Sequence, residues 1–522
     1  LNILIIMNLL NLVAYSVFAF IGLTFYLIYI VVVKPYLFWR RFSKYSNVYA
    51  SPNFVPFIGD MKMHLDSVKD GKVHYAKLVE ISEEVCKHDL KVKVEGILPV
   101  LLLVSKKSIE DFCKFQPNKI DKVSNMKGPG KFSFDSFANQ KSTAKTKERR
   151  KNFSKWLNLN CTSKYISYML DNCSKISSKM AAESETDLMH HMNLLTFTTV
   201  AVMLFGNEVD KIFDISKPFI HENGEIESMN IFEMLIRLTK ISMDLYYNPL
   251  STMFPLLNKY NFLNPFKDYM KNLKSFKSGV AEMMRGCKDP ESLNYKLTNN
   301  SSCSFEENLD DLAIAMFAGT ETAAHSMASF FYYLKKNEKV YKKLEKELKD
   351  NGFTKGDNFK EHVTLKNIQN LNYLSCCTKE VLRMDSPSLD TADYLVKENV
   401  DICNVPIPKD TILKIDICSG HFNNNSWMNP LEFIPERHDT DSDFYKKAKD
   451  AGIIPDTYSR RSFSHGMRNC PGMSLAMLEL KVFIIYFITH IEYEFDLDML
   501  NLEGVGFGMG SHFEPKIKVK KI

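Results

Sequence analysis

Between Phe305 and Lys336 the chain runs without a proline, and its middle, Ala313–Ala324, is almost entirely small or apolar. A stretch of that kind fits a long helix that crosses a core, because a surface helix shows only one apolar face. Ser304 and Glu307 precede it at the spacing of a capping box, in which each side chain satisfies the other's backbone N–H. The polar stretch Asn299–Ser304 reads as the end of a loop. Shorter β-like stretches stand out around Val92–Val104 and Thr411–Ile417, and no long linker or repeat interrupts the body. One large, mainly α domain with small β-sheets is the economical architecture. Gly319, Glu321 and Thr322 are unusual in the middle of such a helix. A glycine there costs about 1 kcal/mol relative to alanine, and a buried carboxylate costs more unless it is paired.

The N-terminal end sets a second constraint. The first 33 residues carry no charged side chain, and Leu12 to Val33 is mostly apolar. As a helix that run spans about 33 Å, the thickness of a bilayer core. Lys34, Arg40, Arg41 and Lys44 follow it, an excess of positive charge that places the C-terminal side in the cytosol. The run is too long for a cleaved signal peptide and lacks both a basic start and a small-residue cleavage site. The expected organisation is a transmembrane anchor over 1–33, a basic, proline-containing linker over 34–59 and one catalytic domain over 60–522. Ser51-Pro52-Asn53-Phe54-Val55-Pro56-Phe57-Ile58-Gly59 gives the linker a stiff, turn-rich end. The chain opens on Leu1 rather than Met, which leaves the true start open. The sequons Asn160-Cys-Thr162 and Asn299-Asn-Ser301 would face the cytosol and stay unmodified. A net charge of +5 is modest for 522 residues and calls for no nucleic acid. Eleven scattered cysteines with no CxxC pair argue against a disulfide framework and a structural zinc site, and fit reduced thiols.

One of those thiols stands apart. Phe463-Ser464-His465-Gly466-Met467-Arg468-Asn469-Cys470-Pro471-Gly472 leads into the helical run Met473–His490, with Leu475, Leu478, Val482 and Ile485 on one face. Pro471 suits a first helical position, which sets Cys470 at a helix N-terminus, where free N–H groups and the dipole favour a thiolate. Gly466 and Gly472 let backbone turn tightly and approach a flat ligand, and Arg468 can meet an anion on it. A lone cysteine at a helix start is ordinarily inert; the glycines and the arginine reverse that reading.

These ten residues match the haem-binding signature of the cytochrome P450 family, Phe-x-x-Gly-x-Arg-x-Cys-x-Gly, at every fixed position. The resemblance implies haem b with Cys470 as axial iron ligand, Arg468 on a propionate and Phe463 packed by the sulfur. A thiolate ligand favours O–O cleavage, the chemical reason for sulfur rather than imidazole. Ala318-Gly319-Thr320-Glu321-Thr322 resembles the family's oxygen-activation motif. There Gly319 would let the helix lie against a ligand on iron, while Glu321 and Thr322 would help deliver protons. A threonine hydroxyl bonding back to a carbonyl would bend the helix at that point. Glu380-Val381-Leu382-Arg383 resembles the Glu-x-x-Arg motif, whose charges meet at i, i+3 on one face. Phe433-Ile434-Pro435-Glu436-Arg437, preceded by His421, Trp427 and Pro430, resembles the segment that supplies a third partner. Glu380, Arg383 and Arg437 are expected to form a structural network that fixes the cysteine loop. Pro52, Pro56 and Gly59 look like the family's proline-rich hinge. The resemblance spans roughly residues 51 to 520, with its sharpest motifs after Ala318.

The sequence also departs from the family's pattern. His438 stands where the family usually has Phe. Arg149 or Arg150 holds the place of a propionate arginine that commonly follows a Trp by four residues, and Lys145 and Thr146 lie there instead. No Arg follows Pro387 where many members carry another propionate contact, and Tyr394 lies near that place. The resemblance implies a monooxygenase acting on a lipophilic substrate at the endoplasmic reticulum membrane. No GxGxxG and no flavin domain are visible, so electrons would come from a separate NADPH-dependent flavoprotein reductase, with cytochrome b5 as a second donor. A haem-thiolate isomerase or dehydratase acting on a peroxide is the alternative, but such chemistry has no use for the pair Glu321 and Thr322. A third alternative, a tethered binding protein without catalysis, is opposed by intact motif residues in all three haem segments.

Overall fold

The computed structural model describes residues 2–52, 54–55, 59, 82–95, 98–123, 135–206, 213–247, 264–300, 303–354, 360–495 and 515–522. The central helix, Phe305–Lys336, forms as the sequence requires. Its capping box closes, with the Ser304 hydroxyl accepting the Glu307 N–H at 3.3 Å and the Glu307 carboxylate accepting the Ser304 N–H at 2.9 Å. The polar stretch before it differs from the expected loop, because Asn299 and Asn300 complete the last turn of helix Leu293–Asn300.

Two other helices enclose the central one. Helix Leu188–Phe205 is buried at every position except His190. It lies so close that a Cβ on Gly319 would stand 2.8 Å from a methyl of Val200. The Thr196 hydroxyl crosses the same seam to donate to the Thr320 carbonyl at 2.9 Å. On the other side runs Met473–His490, the helix that follows the cysteine loop. Phe331 ties the two together, with its ring 5.2 Å from Phe487 and 4.8 Å from Tyr493 in edge-on contacts.

A six-stranded sheet lies beside this helical body, in the order Val48–Tyr49, Leu90–Glu95, Leu98–Leu103, Ile412–Ile415, Tyr394–Val396, Ile120–Lys122. The stretch Val92–Val104 is the heart of an antiparallel hairpin that pairs Leu90 with Leu103, and residues 96 and 97 lie outside the described residues. The stretch Thr411–Ile417 supplies Ile412–Ile415, parallel to Val100–Leu103, and then turns into helix Ile417–His421. Leu101, Phe112, Tyr394 and Ile415 build a second apolar core under this sheet.

By length and composition Leu188–Phe205 and Met473–His490 could each cross a bilayer, but protein encloses both. The N-terminal helix is different: Phe18 and Phe25 are 72% and 69% exposed, as on a surface meant for lipid. It also corrects the expected linker. Helix Asn2–Ile28 passes through a wide turn at Tyr29–Val33 into Lys34–Phe42, so nine residues read as linker are helical. Asn53 and Pro56 to Ile58, the rest of the expected hinge, lie outside the described residues.

Phe331→Ala removes a ring that is 2% exposed between two helices and a strand. It should lower unfolding free energy by about 3–5 kcal/mol. Urea titration followed by circular dichroism checks this, and a loss under 1 kcal/mol would contradict the packing.

Candidate active site

The cysteine loop is folded by its own backbone. The Cys470 N–H donates to the Phe463 carbonyl at 2.9 Å, and the Asn469 N–H to the Gly466 carbonyl at 3.2 Å. Gly466 has φ +79°, and a Cβ there would stand 2.5 Å from the Gln116 side chain, so both conformation and space demand glycine. Gly472 is different. The nearest atom to a Cβ there is the Cys470 sulfur at 3.8 Å, so what its missing side chain leaves clear is the space beside that sulfur. Helix Met473–His490 takes Gly472 as its N-cap, which puts Pro471 one residue before the cap rather than at the first helical position. The N–H groups of Gly472 and Met473 reach the sulfur. Cys470 is exposed at the cavity, yet the protein packed around it still raises its thiol above the ordinary value, and those N–H groups with nearby Arg150 offset only part of the rise. The expected thiolate is therefore not made by the helix terminus alone; a bound metal cation would supply the missing stabilisation.

Beneath the loop, the three charged residues picked from the sequence meet and gain a fourth partner. Arg383 grips Glu380 with two bonds, Nε to Oε2 at 2.9 Å and Nη2 to Oε1 at 2.8 Å. Arg437 Nε adds 2.9 Å to Oε1, and His438 Nε2 stands 2.9 Å from Oε2. Burial lowers the His438 pKa to about 4, so the ring is neutral and donates through Nε2. The departure from Phe at 438 thus changes the network itself. Burial alone would raise Glu380, but the charges and hydrogen bonds of Arg383, His438 and Arg437 hold it well below the usual carboxylate range.

The spare donors of the two arginines clamp the chain that leads to the loop. Arg383 Nη1 donates to the carbonyls of His421 at 2.8 Å and Pro430 at 2.7 Å, and Arg437 Nη1 to that of Met428 at 2.6 Å. Arg461, which the motifs did not single out, continues the clamp into the loop. Its N–H donates to His421 Nε2 at 2.9 Å, and its guanidinium bonds the carbonyls of Asp416 and Val104. Gly420 leaves the space for that guanidinium, since a Cβ there would lie 2.3 Å from its central carbon.

Cys470 and Phe463 line a cavity of ≈ 250 Å³ shared with Arg468, Arg150, Lys122 and Tyr394. The two candidate arginines of the sequence are separated here. Arg149 turns away into a buried pair with Asp311, at 2.9 Å from Nε and 2.7 Å from Nη2. Arg150 faces the cavity and donates to the Asn469 carbonyl at 2.6 Å. Arg468 is held by the carbonyls of Phe137 at 2.6 Å and Gln140 at 3.1 Å and by the Ser142 hydroxyl at 2.9 Å. Lys122 was missed because nothing beside it in the sequence marks it. Burial, then the charges of Arg468 and Arg150, lower its pKa to about 8. Among the described residues no carboxylate forms an ion pair with Lys122, Arg150 or Arg468. Asp390 also lines the cavity, and Asp121 and Asp393 act on these cations without pairing to them, so the cations around the soft sulfur keep room for a ligand that brings a metal and carboxylates of its own, as a haem does.

On the central helix, Thr322 donates to the Ala318 carbonyl at 2.7 Å, the back-bond expected of it. Ala318 is exposed, and Phe317, Gly319, Glu321 and Thr322 around it are half-buried. A Cβ on Gly319 would crowd Val200 of the neighbouring helix. Glu321 has Oε2 sealed from solvent with no partner, and burial raises its pKa to about 7 against the opposing effect of the Thr239 hydroxyl. At neutral pH that carboxyl can give or take a proton.

The chain and its fold resemble known proteins. The family described as Cytochrome P450 matches residues 104–509. Cytochrome P450 3A18 of Rattus norvegicus is 29% identical over 57% of this chain, and the match spans 56% of that protein. Cytochrome P450 monooxygenase tpeC of Talaromyces stipitatus is 24% identical over 68% of this chain and 65% of its own length. The chain therefore spans less than two thirds of the length of these relatives. Among solved structures, retinoic acid-bound cyanobacterial CYP120A1 superposes with a TM-score of 0.65 at 14% identity, covering 90% of this chain and 98% of that one, a likeness of fold.

Glu380→Gln leaves two buried guanidiniums short of their counter-charge and should destabilise the fold by about 3–5 kcal/mol at pH 7. Because the folded pKa of Glu380 is depressed, its contribution is complete above the ordinary glutamate value of about 4.3 and is lost as pH falls through the folded value. The stability gap between wild type and variant should stay constant from pH 7 to about pH 5 and close below that. Urea unfolding across this range checks it, and a gap that widens in acid would contradict it.

Proposed function

This chain belongs to the cytochrome P450 family, and on that premise we propose that it is a membrane-anchored haem-thiolate monooxygenase inserting one oxygen atom of O2 into a lipophilic substrate. The observation that favours this over rearrangement of a peroxide is a carboxyl on the central helix poised near neutrality, Glu321, on the residue before Thr322.

The family uses a haem whose iron is bound by a cysteine thiolate. When bound, the haem supplies dioxygen binding and activation, with electron donation from sulfur favouring O–O cleavage. Cys470 is the ligand in this reading, and the N–H groups of Gly472 and Met473 orient its sulfur. Arg468, Arg150 and Lys122 hold the carboxylates. Phe463 packs beside the sulfur and keeps water from it. Gly466 serves the loop indirectly, by allowing its left-handed turn. Thr322, with its own proton committed to Ala318, presents its oxygen as an acceptor that holds a donor in place. Glu321 stores the proton and releases it as neighbouring groups demand. Gly319 contributes by letting the central helix seat against Leu188–Phe205.

Electrons come from a separate NADPH-dependent flavoprotein reductase. Helix Ala144–Ser154, which carries Arg150 to the cavity, also exposes Lys147 and Lys151, a basic surface that complements an acidic partner. The positive charge after the anchor sets the catalytic body on the cytosolic side of the endoplasmic reticulum membrane.

Thr322→Ala should bind haem and lipophilic ligands as wild type does, yet form product about 100-fold more slowly while NADPH is still consumed. Product formed per NADPH measures this, and an unchanged ratio would sink the proton-handling role. Replacing both Lys122 and Arg150 by Gln should speed transfer of haem to an apo-acceptor protein roughly 10- to 100-fold. An unchanged transfer rate would remove those two residues from the carboxylate site.

A further inference from the structure

Helix Lys34–Phe42 is where the sequence calls for a linker, yet its backbone hydrogen bonding continues that of the anchor. The Lys34 N–H closes the wide turn on the Tyr29 carbonyl, and the next residue, Pro35, gives up one backbone bond without ending the helical path into Lys34–Phe42. Wide turns of this kind re-aim a helix without ending it.

The two faces of this continuation differ. Val31, Pro35 and Phe42 are buried, a spacing of four and seven residues that keeps them on one stripe, and Phe42 joins the apolar core under the six-stranded sheet. Phe42 is wholly enclosed, and Trp39 stacks on Phe54 at 5.4 Å while its indole N–H donates to the Ser51 carbonyl at 3.1 Å. Six residues after Phe42, Val48–Tyr49 has entered the six-stranded sheet beside Leu90–Lys91. Contact with the body thus runs along helix Lys34–Phe42, which packs on strands Leu90–Glu95 and Leu98–Leu103. The opposite face is solvent-exposed and basic, with Lys34, Leu37, Arg41 and Lys44 on one stripe and Tyr36 and Arg40 beside it. Aromatic and cationic side chains at the end of a bilayer-spanning run belong at headgroup level, and clustered cations there attract anionic lipid.

We propose that the anchor is a strut rather than a tether: residues 29–42 fix the catalytic body at one attitude on the bilayer, with Tyr36, Leu37, Arg40 and Arg41 seated among anionic phospholipid headgroups. This rests on the membrane-anchor reading above. Continuity with the apolar helix and charge complementarity select lipid as the occupant; an acidic soluble protein is the rival. The physical consequence is that the orientation of the body is built into the fold. A flexible six-residue joint, by contrast, would let the body wander by about 14 Å.

The test uses the full chain carrying haem, in oriented bilayers of phosphatidylcholine with or without phosphatidylserine, and reads haem tilt by polarised absorption. Wild type should show one narrow tilt, narrower with phosphatidylserine. Six Gly/Ser residues inserted between Val33 and Lys34 should broaden it, and should speed tryptic cleavage at Arg40 and Arg41 at least tenfold, with the haem spectrum and sedimentation with membranes unchanged. Arg40→Glu with Arg41→Glu should abolish the phosphatidylserine effect. Equal tilt distributions and cleavage rates with and without the insert would overturn the strut. A wild type indifferent to phosphatidylserine would overturn lipid as the occupant in favour of an acidic protein. A wild type that does not sediment with membranes would instead overturn the anchor reading on which the proposal stands.

Discussion

A single carboxylate organises the chemistry of this protein from a position where no ligand can touch it. Glu380 is fully enclosed, yet Arg383, Arg437, His438 and the Ile434 N–H all donate to it. Burying such a group is costly unless every lone pair is used, and here they are used. The arginines then have donors left over, which they spend on carbonyls of His421, Met428, Pro430 and Glu432. The chain in that region has little regular structure of its own, so these bonds are what give it shape. His421 passes the constraint to Arg461, and Ser462 bonds the Leu382 carbonyl at 2.9 Å. From there the loop reaches Cys470. The sulfur is placed by a relay of hydrogen bonds that starts two elements away.

The cavity in front of that sulfur is electrostatically unfinished. Arg468, Arg150 and Lys122 converge on it, and each is pushed toward its neutral form by burial. The thiol is pushed toward its neutral form as well. In each case burial is the largest cause, and an opposite charge brought beside the group would offset it. A ligand that brings cationic metal to the sulfur and carboxylates to the cations relieves all of them together, so binding and electrostatic relaxation are one event.

Much of this was legible in the sequence, for identifiable reasons. The central helix was, because a proline-free, apolar run with a capping box leaves few alternatives. The cysteine loop was, because its glycines and Arg468 have fixed spacing to Cys470. Glu380, Arg383 and Arg437 were found as motif residues and meet as expected. Other features depend on contacts across the fold that no local pattern carries. Lys122 reaches the cavity only because the strand Ile120–Lys122 pairs with Tyr394–Val396. His438 looked like a misplaced Phe until its ring met Glu380. Arg149 and Arg150 are adjacent and chemically alike, and only the helix phase sends one to Asp311 and the other to the cavity. Gly319 sits in the motif, but its tight neighbour is Val200. The helical continuation after the anchor was hidden by Pro35, which a helix tolerates in its first turn.

Everything in this picture depends on Cys470 binding iron as a thiolate. The direct measurement is the absorption spectrum of the reduced protein with carbon monoxide, taken on wild type and on Cys470→Ser. Wild type should give the strongly red-shifted Soret band of thiolate-ligated haem, and the serine variant should lose it while remaining folded. A red-shifted band that survives in Cys470→Ser would place the ligand elsewhere.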